Sequence, residues 1–381
     1  MPDDAPLAGV LRRIEDPELG VSIVDLGMLA GLDREDGRVA VRLALPLPEN
    51  AWPPDELEDR IRAALLAEPG VQAVTFERRP MDEAEAARAA AVLRGDPPPD
   101  PLAVVDAAGS PAAPRPRRNP FTDATTRVFA VASGKGGVGK SSVSANLAVA
   151  LAGRGHRVGA LDADVWGFSL PRMLGVDHPP GLVDDVIVPP RAYGVQLVSM
   201  GFFARDDQAV IWRGPMLHKA LEQFLTDVHW GALDTLVVDL PPGTGDVALS
   251  MAQLLPRAEV VVVTTPQPAA QRVAQRSAAM AERVHLPVIG VIENMSWFTG
   301  DDGTRYELFG AGGGEALADS LGVPLLGQVP LVPALRVGGD VGRPIVAAEP
   351  ASTAARAFAD IAARVDALAP RQVRPPELRI S

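Results

Sequence analysis

The chain has 381 residues, 47% of them hydrophobic, and a formal net charge of −12. That acidity disfavours nonspecific binding to nucleic acid or to an anionic membrane surface, and the longest strongly apolar run, around residues 260–263, is far too short to cross a bilayer. No cysteine is present, which excludes disulfides, thiolate metal sites and a cysteine nucleophile.

Residues 1–95 carry 11 Arg against 19 Asp or Glu, so most of the acidity lies in the N-terminal third. The opening Met1-Pro2-Asp3-Asp4 is acidic and nothing after it resembles a secretory signal, so a cytoplasmic location is expected. A helix is expected over 8–14, followed by Asp16-Pro17-Glu18-Leu19-Gly20. Strands are expected around Leu29 and over 38–45, then an amphipathic helix over 54–67 and a strand over 71–77. This α+β pattern shows no catalytic constellation. Capping and turn formation account for Asp16, Glu18 and Asp25. An alanine-rich helix over 81–93 reads as a lead into a linker, since residues 96–118 hold Pro97, Pro98, Pro99, Pro101, Pro111, Pro114 and Pro116 amid Ala, Gly and Asp. Such a composition builds no core and behaves as a semi-stiff spacer. The expected division is a small domain over 1–95, a linker over 96–122 and a large domain over 123–381.

In the large domain, strands are expected over 127–132, 157–161, 235–238, 260–264 and 288–292, with a short one near Leu325. Helices fall between them, over 141–153, 216–228, 268–284, 314–321 and 351–368. Alternation at this spacing implies an α/β fold with a doubly wound, mostly parallel sheet, whose ligands bind at the carboxyl ends of the strands. After the first of these strands comes Ser133-Gly134-Lys135-Gly136-Gly137-Val138-Gly139-Lys140-Ser141-Ser142, which fits G-x-x-x-x-G-K-[ST]. Only three lysines stand against 33 arginines in the whole chain, and two of them are Lys135 and Lys140. Lysine is kept where a compact ammonium differs chemically from a broad guanidinium. Strand, glycine loop and helix bring backbone N–H groups and a helix N-terminus together on an anion, so a nucleoside triphosphate is expected here.

Asp162 and Asp164 follow the second strand, a poor choice for a core and a good one near Mg²⁺ and an attacking water. Asp239 closes the third strand as a Walker B acid would, ahead of Leu240-Pro241-Pro242-Gly243-Thr244-Gly245-Asp246. No Asn-Lys-x-Asp occurs, which removes the usual guanine reader and points to ATP. The five histidines have no ligand spacing and read as structural or surface groups. Trp166, Trp212 and Trp297 read as packing residues.

These motifs carry a resemblance. Lys135 ahead of Lys140 resembles the deviant Walker A loop of the MinD/ParA-like ATPases. Trp212-Arg213-Gly214-Pro215-Met216, the Pro-Pro-Gly-Thr-Gly-Asp segment, Thr265-Pro266-Gln267 and Ile292-Glu293-Asn294-Met295-Ser296 are similar to the Mrp/ApbC iron–sulfur cluster carrier branch, as is Phe309-Gly310 with Gly312-Gly313-Gly314-Glu315. Asp16-Pro17-Glu18-Leu19-Gly20 and Ile23-Val24-Asp25-Leu26-Gly27 resemble the small domain often fused ahead of it. The resemblance covers nearly the whole chain outside the linker.

It implies a slow ATP hydrolase that needs Mg²⁺ and acts as a homodimer with iron–sulfur client or scaffold proteins, without nucleic acid or membrane. Gly134, Gly136, Gly137, Val138, Gly139 and Ser142 would cradle phosphates with Lys140 at the β and γ groups. Ser141 would bind Mg²⁺, with Asp162 and Asp239 in its shell. Asp164 would position water, Asn294 would read adenine, and Lys135 would reach the partner's nucleotide. The family's Cys-x-x-Cys is replaced here by Trp297-Phe298-Thr299-Gly300-Asp301-Asp302-Gly303-Thr304-Arg305, so no iron–sulfur ligand is assigned, and Asp301 and Asp302 read as an exposed turn. The alternative is a MinD/ParA-like ATP-dependent switch that positions a partner without carrying a cluster. The tail Pro370-Arg371-Gln372-Val373-Arg374-Pro375-Pro376 shows no amphipathic membrane helix of the kind such a switch usually needs.

Overall fold

Buried apolar runs and helical stripes define most of the elements. In a computed structural model the described residues are 5–47, 55–96, 119–122, 125–165, 167–203, 214–243 and 246–370. Most of the expected linker (97–118), Trp166, Trp212, Arg213, Thr244, Gly245 and the tail from Arg371 lie outside them.

The first elements are α1 (Ala5–Leu11), β1 (Leu29–Glu35), β2 (Arg38–Leu45), α2 (Asp55–Leu66), β3 (Ala73–Pro80) and α3 (Glu83–Leu93). There follow β4 (Arg127–Ser133), α4 (Lys140–Gly153), β5 (Val158–Asp162), α5 (Leu170–Met173), β6 (Gly181–Val183), β7 (Val186–Val188), β8 (Arg191–Ala192) and β9 (Val195–Ser199). Next come α6 (Gly214–Thr226), β10 (Thr235–Asp239), α7 (Asp246–Leu254), β11 (Glu259–Thr264), α8 (Pro268–Arg283), β12 (Val288–Asn294), β13 (Phe298–Thr299) and β14 (Arg305–Tyr306). The chain closes with α9 (Gly313–Leu321), β15 (Leu325–Val329), α10 (Pro333–Asp340), α11 (Ile345–Ala348) and α12 (Thr353–Ala367).

Two compact units form. One contains the N-terminal elements together with His178–Pro189 and Asp227–Gly231. Its sheet has the order β1-β2-β3, antiparallel then parallel. Val39, Val41, Leu43 and Leu45 alternate inward on β2, and Leu57, Ile61 and Leu65 recur every fourth residue on α2, so the two faces meet in one core. The β6–β7 hairpin adds Val183, Val186 and Val188 to that core, which explains why a segment distant in sequence joins this unit. The helix over 81–93 does more than lead into a linker. As α3 it is fixed by a capping box between Asp82 and Glu85, and Ala89, Ala90 and Leu93 are buried in the same core. His229 is structural, its two ring nitrogens lying 3.0 Å from the Leu93 carbonyl and 2.9 Å from that of Leu19.

The second unit is built on an eight-stranded sheet of order β15-β12-β11-β4-β10-β5-β9-β8, parallel throughout except for the short antiparallel edge strand β8. Residues of β5, β9, β10, β11 and β12 are buried along their whole length, as expected of parallel strands covered by helices on both faces. Strand β4 lies centrally; the chain leaves it through α4 and returns one position further out, as β5, with β10 later filling the gap. The carboxyl ends of β4, β5 and β10 are thereby neighbours. Arg127 anchors the other end of β4 through Glu259 (2.7 Å) and the Val365 and Leu368 carbonyls.

Candidate functional site

The loop between β4 and α4 is held at both ends by positions that admit only glycine. A Cβ on Gly134 would fall 2.2 Å from the Val273 carbonyl carbon of α8, so that helix sits directly on the loop. Gly139 has φ of +78°, and a Cβ there would lie 2.3 Å from Asn294 Nδ2. Val138 is buried between them, and its carbonyl accepts a hydrogen bond from Asn294 Nδ2 at 2.9 Å. No side chain caps α4, so the N–H groups of its first turn remain available to an anion. Gly136 and Gly137 are exposed at the crest, and Lys135, Ser141 and Ser142 are half-buried.

Below the loop lie two carboxylates. Asp162 and Asp239 are direct register partners on β5 and β10, both fully buried. Asp239 Oδ2 pairs with Lys140 Nζ at 2.7 Å and accepts from Ser141 Oγ at 2.6 Å. Its Oδ1 accepts from Ser144 Oγ at 2.6 Å. Asp162 accepts from the N–H groups of Asp164 (3.2 Å), Ser169 (2.9 Å) and Leu170 (3.1 Å) and from Ser199 Oγ (3.2 Å). Burial, and next the charge of Asp239, push the Asp162 carboxyl up to about 7 despite those bonds. Two adjacent buried carboxylates beside a serine hydroxyl present the hard oxygen donors that suit Mg²⁺. Asp164 is buried close by, and its Oδ1 accepts from the Gly167 N–H at 3.1 Å.

Lys135 Nζ donates to Gln267 Oε1 at 3.0 Å. Asn294 is buried, and with Nδ2 engaged on the loop its Oδ1 has no partner among the described residues. Glu293, also buried, accepts from the Gly314 N–H at the start of α9 and from Gln328 Nε2 at 2.8 Å. The Ile-Glu-Asn run and the Gly312-Gly313-Gly314 run are thus two sides of one contact. A Cβ on Gly313 would lie 2.3 Å from the Pro266 carbonyl oxygen, which draws Thr265-Pro266-Gln267 into the same packing.

The structure therefore groups Lys140, Ser141, Asp162 and Asp239 tightly, places Asp164 beside Asp162, to which its N–H donates, and seats Asn294 against the loop. Ser144, Ser199 and Gln267 escaped sequence reasoning as site residues. Ser144 carried a signal, lying one helical turn beyond Lys140 among apolar residues; Ser199 ends a strand that the pattern did not reveal. The stretch in the position of the family cysteines forms the β13–β14 hairpin. Asp302 there accepts from the Thr304 N–H (2.9 Å) and Oγ1 (2.8 Å), both aspartates are exposed, and Arg305 stacks on Trp297 at 3.8 Å.

A central strand, a glycine loop, a helix and an acid closing the neighbouring strand define a P-loop nucleotide-binding fold. The family model described as NUBPL iron-transfer P-loop NTPase matches residues 124–366, and that of an iron–sulfur cluster assembly protein matches residues 5–76. The iron–sulfur cluster carrier protein of Mycobacterium tuberculosis is 44% identical over 371 residues, covering 94% of this chain and 92% of that protein. Its counterpart in Synechocystis is 40% identical over 366 residues, covering 93% and 95%. Among solved structures, a nucleotide-binding protein of Archaeoglobus fulgidus in complex with ADP is similar at 35% identity and a TM-score of 0.51, covering 57% of this chain and 86% of that one. The septum site-determining protein MinD of Pyrococcus horikoshii, complexed with Mg-ADP, is similar at 28% identity and a TM-score of 0.50, covering 64% and 96%. The chain belongs to the iron-transfer P-loop NTPase family of the iron–sulfur cluster carrier proteins. Among the described residues no helix is long and apolar enough to cross a membrane.

Proposed function

We propose that this protein is a cytoplasmic Mg²⁺-dependent ATP hydrolase that acts as a homodimer in moving iron–sulfur clusters between scaffold and client proteins. The observation that carries the reading is the convergence of Lys140 and Ser141 on Asp239, within 2.7 Å, directly beneath an uncapped helix N-terminus. Lys140 pairs with the buried Asp239 carboxylate and has a second partner available in a phosphate. Ser141, Asp162 and Asp239 would hold Mg²⁺, the two aspartates through water. When bound, Mg²⁺ supplies charge neutralisation for phosphoryl transfer.

The loop from Gly134 to Ser142 offers N–H groups to the phosphates. Asp164 orients the attacking water, Asn294 Oδ1 remains free to accept from an adenine amino group, and Lys135 reaches the partner's nucleotide. Cluster thiolates come from scaffold and client, because iron–sulfur clusters are held by thiolates and this chain has no cysteine. The test is cluster transfer from a thiol scaffold to an apo client, read as recovered client activity. Mg·ATP with the wild-type protein accelerates transfer, and Lys140→Ala does not; equal acceleration by both rejects the reading.

A further inference from the structure

Ser144 is fully buried on α4, four residues after Lys140 and three after Ser141, so all three project from one helix face toward the sheet's carboxyl edge. Its hydroxyl lies 2.6 Å from Asp239 Oδ1 and 3.1 Å from the Lys140 carbonyl oxygen. A hydroxyl has one proton to donate, and the shorter approach to a charged acceptor takes it. The two oxygens of Asp239 are therefore used differently. Oδ2 faces Lys140 and Ser141, both of which have ligand roles in the proposed reaction. Oδ1 faces a group with none.

We propose that Ser144 is a positioning residue: through Oδ1 it pins the Asp239 carboxylate in the rotamer that presents Oδ2 to Ser141 and the Mg²⁺ shell, and it keeps a donor on that carboxylate when Lys140 turns to a phosphate. The proposal rests on the Mg·nucleotide reading above. A serine in a helix interior can also simply return its hydroxyl to the carbonyl one turn back. That role alone would affect helix stability and leave Mg²⁺ dependence unchanged.

The two roles separate in calorimetric titrations of the full chain with ADP, in EDTA and across a Mg²⁺ series. Ser144→Ala is expected to raise the Mg²⁺ concentration for half-maximal enhancement about tenfold, the usual scale for losing an outer-shell partner. ADP affinity in EDTA stays within about twofold, and Ser144→Thr, which restores the hydroxyl, recovers most of the Mg²⁺ effect. Ser144→Cys guards against misfolding. It introduces the chain's single thiol, whose resistance to a thiol reagent reports a folded, buried site, and as a weak donor it should behave like Ala. An unchanged Mg²⁺ series in Ser144→Ala, or equal losses with and without Mg²⁺, overturns the positioning role. Absence of any Mg²⁺ effect in the wild-type protein overturns the Mg·nucleotide reading itself, and the role of Ser144 with it.

Discussion

Lys135 Nζ donates to Gln267 Oε1 at 3.0 Å, joining the phosphate-loop crest to a residue 132 positions later. Gln267 is the N-cap of α8, yet its side chain does not cap that helix; it serves the lysine instead. Gly134 is pressed against the same helix, so the loop and α8 meet at two points. In this arrangement Lys135 is held within its own subunit and away from the Asp239 cluster.

A role for Lys135 across a dimer makes its loss visible in assembly rather than in binding. Lys135→Ala should bind ATP with affinity within about twofold of wild type but need roughly tenfold more protein to dimerise, the scale of one charge-assisted contact. Light scattering with Mg·ATP checks this. Equal dimerisation of both proteins, or a monomer under every nucleotide condition, contradicts the trans role.

The parallel sheet is legible in the sequence because its strands are continuous apolar runs, and the chemistry is legible because it sits where those runs end: Ser133, Asp162, Asp239 and Asn294. Strand β9 is not, since Gln196 interrupts its apolar run although the fold buries it. Nor is the placement of the β6–β7 hairpin, because Val183, Val186 and Val188 find their partners in the distant N-terminal elements, α3 (Glu83–Leu93) among them. Local patterning carries no information on such pairings. Ser144 is only partly legible: its place one helical turn beyond Lys140 is a signal, but among the small residues of α4 it looks like another alanine until Asp239 is seen against it.

Asp16 makes the N-terminal unit sensitive to pH. Its Oδ1 accepts from the N–H groups of Glu18 (2.9 Å) and Leu19 (3.0 Å), while Oδ2 is buried with no partner among the described residues. Burial is the main cause that lifts this carboxyl from its ordinary 3.8 to about 6, against the pull of the two N–H bonds. Because the folded value is the higher one, the contribution to stability is fully present below about pH 4 and is lost as pH rises through about 6, a span worth roughly 3 kcal/mol. Hydrogen exchange of the Arg38–Leu45 amides, corrected for intrinsic rates, should therefore speed up between about pH 4 and 6 in wild type relative to Asp16→Asn. Identical pH profiles would refute the assignment.

Asp164→Ala removes the proposed water-positioning acid and leaves the loop intact. Phosphate release should fall by about a hundredfold or more, with ATP affinity little changed. The variant should then retain ATP and hold partner proteins in a pull-down that the wild-type protein releases. Undiminished turnover argues against the role.

Thiolates match the soft iron core of a cluster, and carboxylate or imidazole donors hold it less well. Asp302 spends both its oxygens on Thr304 within the exposed β13–β14 turn. After anaerobic incubation with iron and sulfide, the purified protein should show no stoichiometric cluster in its visible absorption or iron content. Adding a thiol-bearing scaffold should restore the signal; a stable cluster on the homodimer alone would show that ligands on this chain suffice.

The central claim is that Lys140, Ser141 and Asp239 form the heart of an ATP site, and calorimetric titration of ATP in Mg²⁺ tests it most directly. Wild type should give a saturable one-to-one isotherm. Lys140→Ala, shown to be folded by its melting transition, should give no saturable heat under the same conditions. An ATP affinity unchanged by Lys140→Ala would contradict the account.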